Sequence, residues 1–456
     1  MLAQELREKI LEGNFSEVLQ HSGYDEYPAE VARLLQTLDN DEATSVFLSF
    51  PEDIQTKVFP FLDYVQQHII SEELPRPQIS TILNNLESND RVAFFENLDG
   101  IEVTEFLNLL NDKNRLDTYD LLGYPEQSVA RMINTRFTTV RKEWTLGQAI
   151  EHLRRFYTDT PAANVVFVVD NNGRLVDDLH IRKLALNDPA RKIEDIMDGY
   201  YVKLDIQDSI EDAIQKFKEY DRVAIPVTNS NNVVMGVVTI DDVIDEAEEK
   251  DTKDMQQFGG VESLDLPYVK TGFFTMIQKR AVWLIILFIG ELFTATAMAF
   301  FELELKKAIV LQLFIPLIIS SGGNTGSQAA TLIIRAMALK ELSYKDWWYV
   351  MKREIFSGLT LGLILGFIGF VRIVVWQYLG WYNYGETFNW VLVGLTVSLS
   401  VIGVVLWGTL SGSMIPMVLK RFNLDPATSS APFVATLVDV TGLVIYFSIA
   451  AVLLGI

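Results

Sequence analysis

Three ionisable side chains stand inside the apolar last third of the chain: Glu291, Arg372 and Asp439. A charge at the centre of a membrane helix costs at least about 2.5–3.5 kcal/mol, so each must face protein or water. Asp439 has the most telling surroundings. In PFVATLVDVTGLVIY the proline opens a span, Thr436 and Thr441 flank the acid, and about seven residues place it roughly 10 Å from the end of the helix. Arg372 lies near the other end of its own span, where its long stem can carry the guanidinium to the interface. Glu291 falls at mid-span and leaves two readings open, a protonated acid that ties helices together or a group that works on an ion or a proton. The four histidines are His21, His68, His152 and His180, and the chain has no cysteine. The apolar third therefore offers no imidazole or thiolate for a zinc protease, a cysteine nucleophile or a histidine-assisted serine hydrolase, and no enzyme is expected. What remains is carboxylate, amide, hydroxyl and backbone oxygen, the ligand set of a hard cation.

A second set of carboxylates precedes the membrane segment. DDVIDEAEEKDTKDMQQF carries Asp241, Asp242, Asp245, Glu246, Glu248, Glu249, Asp251 and Asp254 on one expected helix. Like charges three or four apart, such as Asp242/Asp245 and Asp245/Glu248, each destabilise an isolated helix by roughly 0.2–0.5 kcal/mol. A bound divalent cation would relieve that repulsion, whereas a solvated face is the plain alternative; Lys250 and Lys253 compensate in part.

The elements that must position these groups follow from hydropathy. About 20 apolar residues at roughly 1.5 Å each cross a bilayer, and such stretches lie near 281–301, 309–334, 355–379, 390–418 and 432–454. The second contains Pro316 and the run Ser320-Ser321-Gly322-Gly323-Asn324, which predicts an interrupted helix beside a cavity. Basic residues in short loops stay on the cytoplasmic side. Lys279 and Arg280, the group Arg335, Lys340, Lys345, Lys352 and Arg353, and the pair Lys420 and Arg421 all fall on one side, while the loop 380–389 has none; Lys306 and Lys307 dissent. Five spans then put the N-terminal 280 residues inside and the C-terminus outside, and MLAQELREKI lacks the plan of a signal peptide.

Two internal repeats organise the rest. An offset of 48 superposes 34–62 on 82–110, pairing Leu34/Ile82, Phe47/Phe95 and Leu62/Leu110 with helical spacing, and a shortened third copy is expected through 124–133. Stacked helical units of this kind form a small solenoid. A second repeat starts at Met132 with an offset of 64 that becomes 59, each copy reading strand, helix, strand, turn, strand, helix. This order, with the segments IPV and GVVTIDDV, resembles a tandem pair of CBS domains. The resemblance implies that Thr239 and Asp242, after Gly236, could hold the ribose of an adenine nucleotide such as ATP; the first copy has Asp177, His180 and Lys183 instead, so at most one orthodox nucleotide site is expected.

Charge is divided as sharply as hydropathy. Residues 281–456 hold 10 basic and 9 acidic side chains against 28 and 51 in residues 1–280, so the first part carries −23 of the total −22. Such a surface repels phosphate backbones, which disfavours nucleic acid and favours cations.

The motifs SGGNTGSQAATLIIRAMAL (321–339) and PFVATLVDVTGLVIYFS (432–448), with five spans, two CBS-like copies and a helical N-terminal part, resemble the MgtE family of magnesium channels along the whole chain. The implied fold is a multidomain membrane protein: an all-α superhelical domain over 1–131, an α/β tandem CBS pair over 132–245, an acidic connecting helix and linker over 246–280 and an α-helical pore domain of five spans over 281–456. The resemblance implies a homodimer in the inner (plasma) membrane with the pore between its two membrane domains, Asp439 as the pore acid and Asn324 in the signature second span. It implies that Asp425 bridges pore and cytosolic domain through bound Mg2+, and that Glu211, Asp221, Asp242, Asp245, Glu248 and Asp254 serve regulatory Mg2+. Lys250 and Lys253 depart from the acids expected on the connecting helix. The expected function is Mg2+ uptake gated by cytosolic Mg2+, with Mn2+, Co2+ and Ni2+ as further possible cargo; the alternative is a CBS-regulated, proton-coupled secondary transporter using Glu291.

Overall fold

The computed structural model describes residues 28–156, 164–264, 266–302, 309–384, 388–422 and 424–455. His21, the first ten residues, Lys306 and Lys307 lie outside this description. The chain divides into two compact units with the boundary between Ala247 and Glu248.

The described residues of the first unit open with eight helices that obey the 48-residue offset: α1 (Pro28–Leu35), α2 (Asn40–Leu48), α3 (Glu52–Val58), α4 (Tyr64–Glu73), α5 (Arg76–Asn85), α6 (Ser88–Glu96), α7 (Gly100–Leu107) and α8 (Asp112–Leu122). Each helix in α5–α8 starts 48 residues after its counterpart in α1–α4. Local chemistry sets these starts. Asp39 accepts from the Glu42 N–H, Asp63 from Gln66 and Asn111 from Asn114, while Asp99 and Glu102 form a reciprocal capping box. The two copies share one core, in which Phe47, Phe59, Phe94, Phe95 and Phe106 are all nearly inaccessible. The expected third copy is absent: residues 129–132 form one 3-10 turn, whose Arg131 donates to the carbonyls of Leu122 and Tyr124. Eleven residues of helix, α8, already complete the second copy, and the chain that follows straps down its exposed end.

Two sheets follow, β1-β2-β3 (Thr139–Arg141, Val165–Val169, Leu175–His180) and β4-β5-β6 (Leu204–Asp205, Ala224–Thr228, Val234–Thr239). In each the first pair is parallel and the second antiparallel. The offset of 59 holds residue by residue. Val165 pairs with His180 as Ala224 pairs with Thr239, and both second strands carry an irregularity at the same place, Val168/Val169 and Val227/Thr228. Helices α9 (Leu146–Phe156) and α11 (Ile210–Tyr220) differ by the expected 64, and α10 (Ile181–Leu186) matches the start of α12 (Ile240–Phe258). The residues of β2 and β5 are buried throughout, as expected of central strands covered on both faces.

Among its described residues the second unit contains five helices long and apolar enough to cross a membrane: α13 (Phe273–Phe300), α14 (Ile315–Ala338, preceded by a 3-10 turn from Ile309), α15 (Trp347–Tyr378), α16 (Trp390–Arg421) and α17 (Ala431–Leu454). The expected interruption of the second span is corrected here. Pro316 sits in the first turn of α14, where a missing N–H costs nothing, and the helix runs unbroken through Ser320–Asn324. Glycine is tolerated in that run because the backbones approach closely: a Cβ on Gly322 would lie 2.4 Å from Val404, and one on Gly408 would lie 2.3 Å from the Gly322 carbonyl oxygen. Arg372 packs its guanidinium over Trp376, 4.3 Å from the ring centroid, and 5.8 Å from that of Phe314. A cation–π contact thus accompanies its place near the end of α15.

Candidate functional site

One stripe of side chains from each of three helices meets in the second unit. Glu291, Thr294 and Met298 recur at helical spacing on α13; Ser320, Gly323, Asn324 and Ser327 do so on α14; Ala435, Asp439 and Leu443 do so on α17. These three stripes line a cavity of about 460 Å3. Asp439 and Asn324, paired in sequence only by resemblance, therefore share one space. Asp439 is half-buried and Asn324 exposed to the cavity, where its amide lies 3.5 Å from Ser320 Oγ, too long to satisfy it. Thr441, expected to flank the acid, is occupied elsewhere: its hydroxyl accepts from Trp407 Nε1 at 2.7 Å and donates to the Leu437 carbonyl. Six waters at about 30 Å3 each amount to roughly 180 Å3, so the cavity has room for a divalent ion with its shell.

Asp425 stands apart from this cavity's lining. It is exposed and caps the short 3-10 turn Pro426–Thr428 by accepting from the Ala427 N–H.

In the first unit the carboxylates gather where α6 meets the start of α12. Asp242 accepts from Thr239 Oγ1 at 2.7 Å through one oxygen and from Asn89 Nδ2 at 2.7 Å through the other. Asp241, Glu87 and Asp90 crowd the same place, with Arg136 as the neighbouring cation and Asn134 bonded to Glu87. Burial is the main cause that raises all three of Glu87, Asp90 and Asp242, and mutual repulsion adds to it; Asp90 reaches about 7 and Asp242 about 6. Each oxygen of Asp242 keeps a further acceptor site, so the carboxylate can still meet a cation or a ribose hydroxyl. Glu87, Asn89 and Asp90 were not singled out in the sequence. Their signal was available in the repeat, since ESND (87–90) occupies the cap position that DNDE (39–42) holds in the first copy, but a capping acid is the ordinary reading there.

The other expected regulatory acids lie on separate stretches of the chain. Glu211 is in the first turn of α11, Asp221 is exposed at its C-terminal end with φ +49°, and Asp245 is exposed on α12. Glu248, exposed, and Asp254, half-buried, lie on the part of α12 that belongs to the second unit. Among the described residues, no three His, Cys, Asp or Glu side chains group as a ready metal cage. That is compatible with Mg2+, which keeps several waters and meets only one or two carboxylates directly. In the first CBS-like copy Asp177 is fully buried and accepts from the N–H groups of Asp198 and Gly199, while Lys183 pairs with Asp198 at 2.8 Å. These residues fasten the chain between the two copies. Its counterpart Gly236 is needed for a close approach, since a Cβ there would lie 2.2 Å from Ile133.

The raised carboxyls give a pH expectation with a definite sign. A folded state that binds protons more tightly than the unfolded chain is favoured at low pH, and that stability is lost as pH rises through the folded values. Without divalent ions, the thermal midpoint of the first unit should fall as pH increases from about 5 to about 8, and Asp90→Asn should flatten the profile. Calorimetry of the full chain in chelator checks this; a midpoint that rises over this window in the wild type would refute it.

A membrane unit with five helices long enough to span a bilayer, three of which line a cavity bearing carboxylate, amide and hydroxyl groups, joined to a helical repeat and two CBS-like copies, is the architecture of a cation transporter with appended domains. Three family models agree. One described as a divalent cation transporter matches residues 315–449, the MgtE intracellular N domain matches 26–127, and a CBS domain matches 193–249. The chain is 34% identical over 346 residues to the magnesium transporter MgtE of Thermus thermophilus, covering 76% of this chain and 74% of that one. It is 27% identical to the magnesium transporter MgtE of Bacillus subtilis over 84% and 82% of the two chains. The crystal structure of the cytosolic domain of the Mg2+ channel MgtE in complex with ATP aligns with a TM-score of 0.50 and 24% identity, over 54% of this chain and 99% of that one, and so shares the fold. The chain belongs to the MgtE family of magnesium transporters.

Proposed function

We propose that this protein is a Mg2+-selective channel for magnesium uptake across the inner (plasma) membrane, acting as a homodimer whose pore lies between the two membrane units. The observation that carries the reading is the meeting of Asp439 and Asn324 in one cavity among helices long enough to span a bilayer. Mg2+ sheds water reluctantly. A carboxylate with nearby amide and hydroxyl groups can hold the ion through its shell, so that selectivity comes from the size of the hydrated ion. The distribution of Lys and Arg supports a cytoplasmic N-terminal part and an outer C-terminus.

Regulation follows from charge. Cytosolic Mg2+ bound among the acids of the first unit and α12 would neutralise their repulsion and favour a closed state, and its loss would let the −23 domains separate. The crowd at Glu87, Asp90, Asp241 and Asp242 fits such an ion, because burial and repulsion there lack a matching number of cations. The Thr239–Asp242 pair is the place for an adenine nucleotide, supported by the ATP complex of the related cytosolic domain.

The test is ion flux through the purified full chain in liposomes, with Mg2+, Mn2+, Co2+ and Ni2+ compared. Mg2+ conductance with linear current–voltage behaviour is expected. Saturating flux coupled to protons would replace the channel by the secondary transporter, and no flux of any divalent ion would end both readings. Neutralising Asp242, Asp245 and Asp254 together should leave the channel open at Mg2+ levels that close the wild type. Open probability indifferent to Mg2+ in the intact protein would remove the gating part.

A further inference from the structure

The cavity holds a second carboxylate that the match of sequence motifs does not account for. Gly290 brings α13 against α17 so closely that a Cβ there would lie 2.7 Å from Thr436 Cγ2. This contact sets the next residue, Glu291, beside α17, where it lines the same cavity as Asp439. One turn further along α13, Thr294 Oγ1 is buried with no hydrogen-bond partner, although a helical threonine ordinarily donates to the carbonyl four residues back. Thr294 also lines the cavity. A helix that served only to pack would have no reason to leave this hydroxyl unsatisfied beside two acids.

We propose that Glu291 is a specificity-determining residue of the ion path, acting with Asp439 and the Thr294 hydroxyl to hold the water shell of a divalent cation from the α13 side, opposite Asn324. The proposal rests on the reading of this cavity as the cation path. Two carboxylates that share one cavity repel each other when ionised, and one doubly charged ion between them balances both, whereas a single monovalent ion does not. The amide of Asn324 and the hydroxyls of Ser320 and Ser327 complete the other side, where a hydrated ion needs acceptors and donors rather than charge. Glu291 thereby raises the preference for doubly charged ions, a task for which one carboxylate per protomer is weaker than two.

Glu291→Gln separates this role from packing, because the amide keeps the size and polarity of the side chain while its charge is lost. In liposomes containing the full chain, Glu291→Gln is expected to raise the half-saturating Mg2+ concentration about tenfold and to admit Na+ that the wild type excludes. Its thermal midpoint in detergent should stay that of the wild type, and Glu291→Asp should restore most of the preference for Mg2+. Wild-type concentration dependence and Na+ exclusion in Glu291→Gln would overturn the proposal. So would a change in flux accompanied by a matching loss of thermal stability in both Glu291 variants, which assigns the residue to helix packing. Failure here is distinguishable from failure of the channel reading: a wild type that conducts Mg2+ and an Asp439→Asn that does not leave the channel standing whatever Glu291→Gln does.

Discussion

Asp439→Ala should abolish Mg2+ flux while leaving the folded protein and its cytosolic ion binding intact. The acid lies on the stripe of α17 that faces the cavity, with Ala435 and Leu443 one turn to either side, so truncation removes charge without opening a packed core. Asp439→Asn is the sharper variant, because it keeps volume and a carbonyl oxygen and drops only the charge. Flux in Asp439→Asn is expected to fall by a factor of about 100 or more, since an ion that retains its water is held here by long-range attraction, worth about 1 to 4 kcal/mol at 4 Å between bulk water and a protein surface. A dye-based uptake assay in liposomes reads this directly. Wild-type uptake in Asp439→Asn would remove the residue from the path.

Gly412→Ala should prevent the membrane unit from assembling in its present form. A Cβ at 412 would lie 2.0 Å from the Gly326 carbonyl oxygen, and the matching contact at Gly408 is 2.3 Å from the Gly322 carbonyl oxygen. Both obstacles are backbone, so neither can swing aside as a side chain would. Helices α14 and α16 would have to move apart along their whole contact, and α14 carries Ser320, Asn324 and Ser327 into the cavity. Overpacking of this kind costs about 1–3 kcal/mol or more, and in a membrane no hydrophobic force compensates for lost helix contact. The expected results are a large drop in monodisperse yield and thermal midpoint, with flux lost in proportion. Gly369→Ala is the control: its Cβ would meet only Val397 at 3.9 Å, and it should behave as wild type. Equal behaviour of the two variants would show that close approach at 412 does not set the bundle geometry.

Much of the architecture was legible because its signals are local or periodic. The 48-residue repeat is carried by caps and apolar spacing, and both survive as helices α1–α8. The second repeat declared its strands by residue type and by its 59-residue offset, and the structure added the matching pairings of Val165 with His180 and Ala224 with Thr239. The expected break in the second span failed for a nonlocal reason. Local propensity alone disfavours glycine and proline in a helix, yet Pro316 falls in a first turn and the glycines are held helical by α16 and α17, which no local rule contains. A third helical copy failed likewise, since residues 129–132 are shaped by the carbonyls that Arg131 reaches.

Sequence alone determined the inventory of this protein: five apolar spans, an acidic first part, two repeats, and a membrane third without histidine or cysteine, whose chemistry must be that of oxygen ligands. These depend on composition and period, which the chain carries in itself. Tertiary structure decided which of the oxygen ligands meet. It placed Glu291, Asp439 and Asn324 on one cavity, and it joined Asn89 of the helical repeat to Asp242 of the second CBS-like copy, across 153 residues. Such meetings depend on how closely two helices approach, and that distance is set by small residues such as Gly290 and Gly322 at the contact, whose partners lie far along the chain.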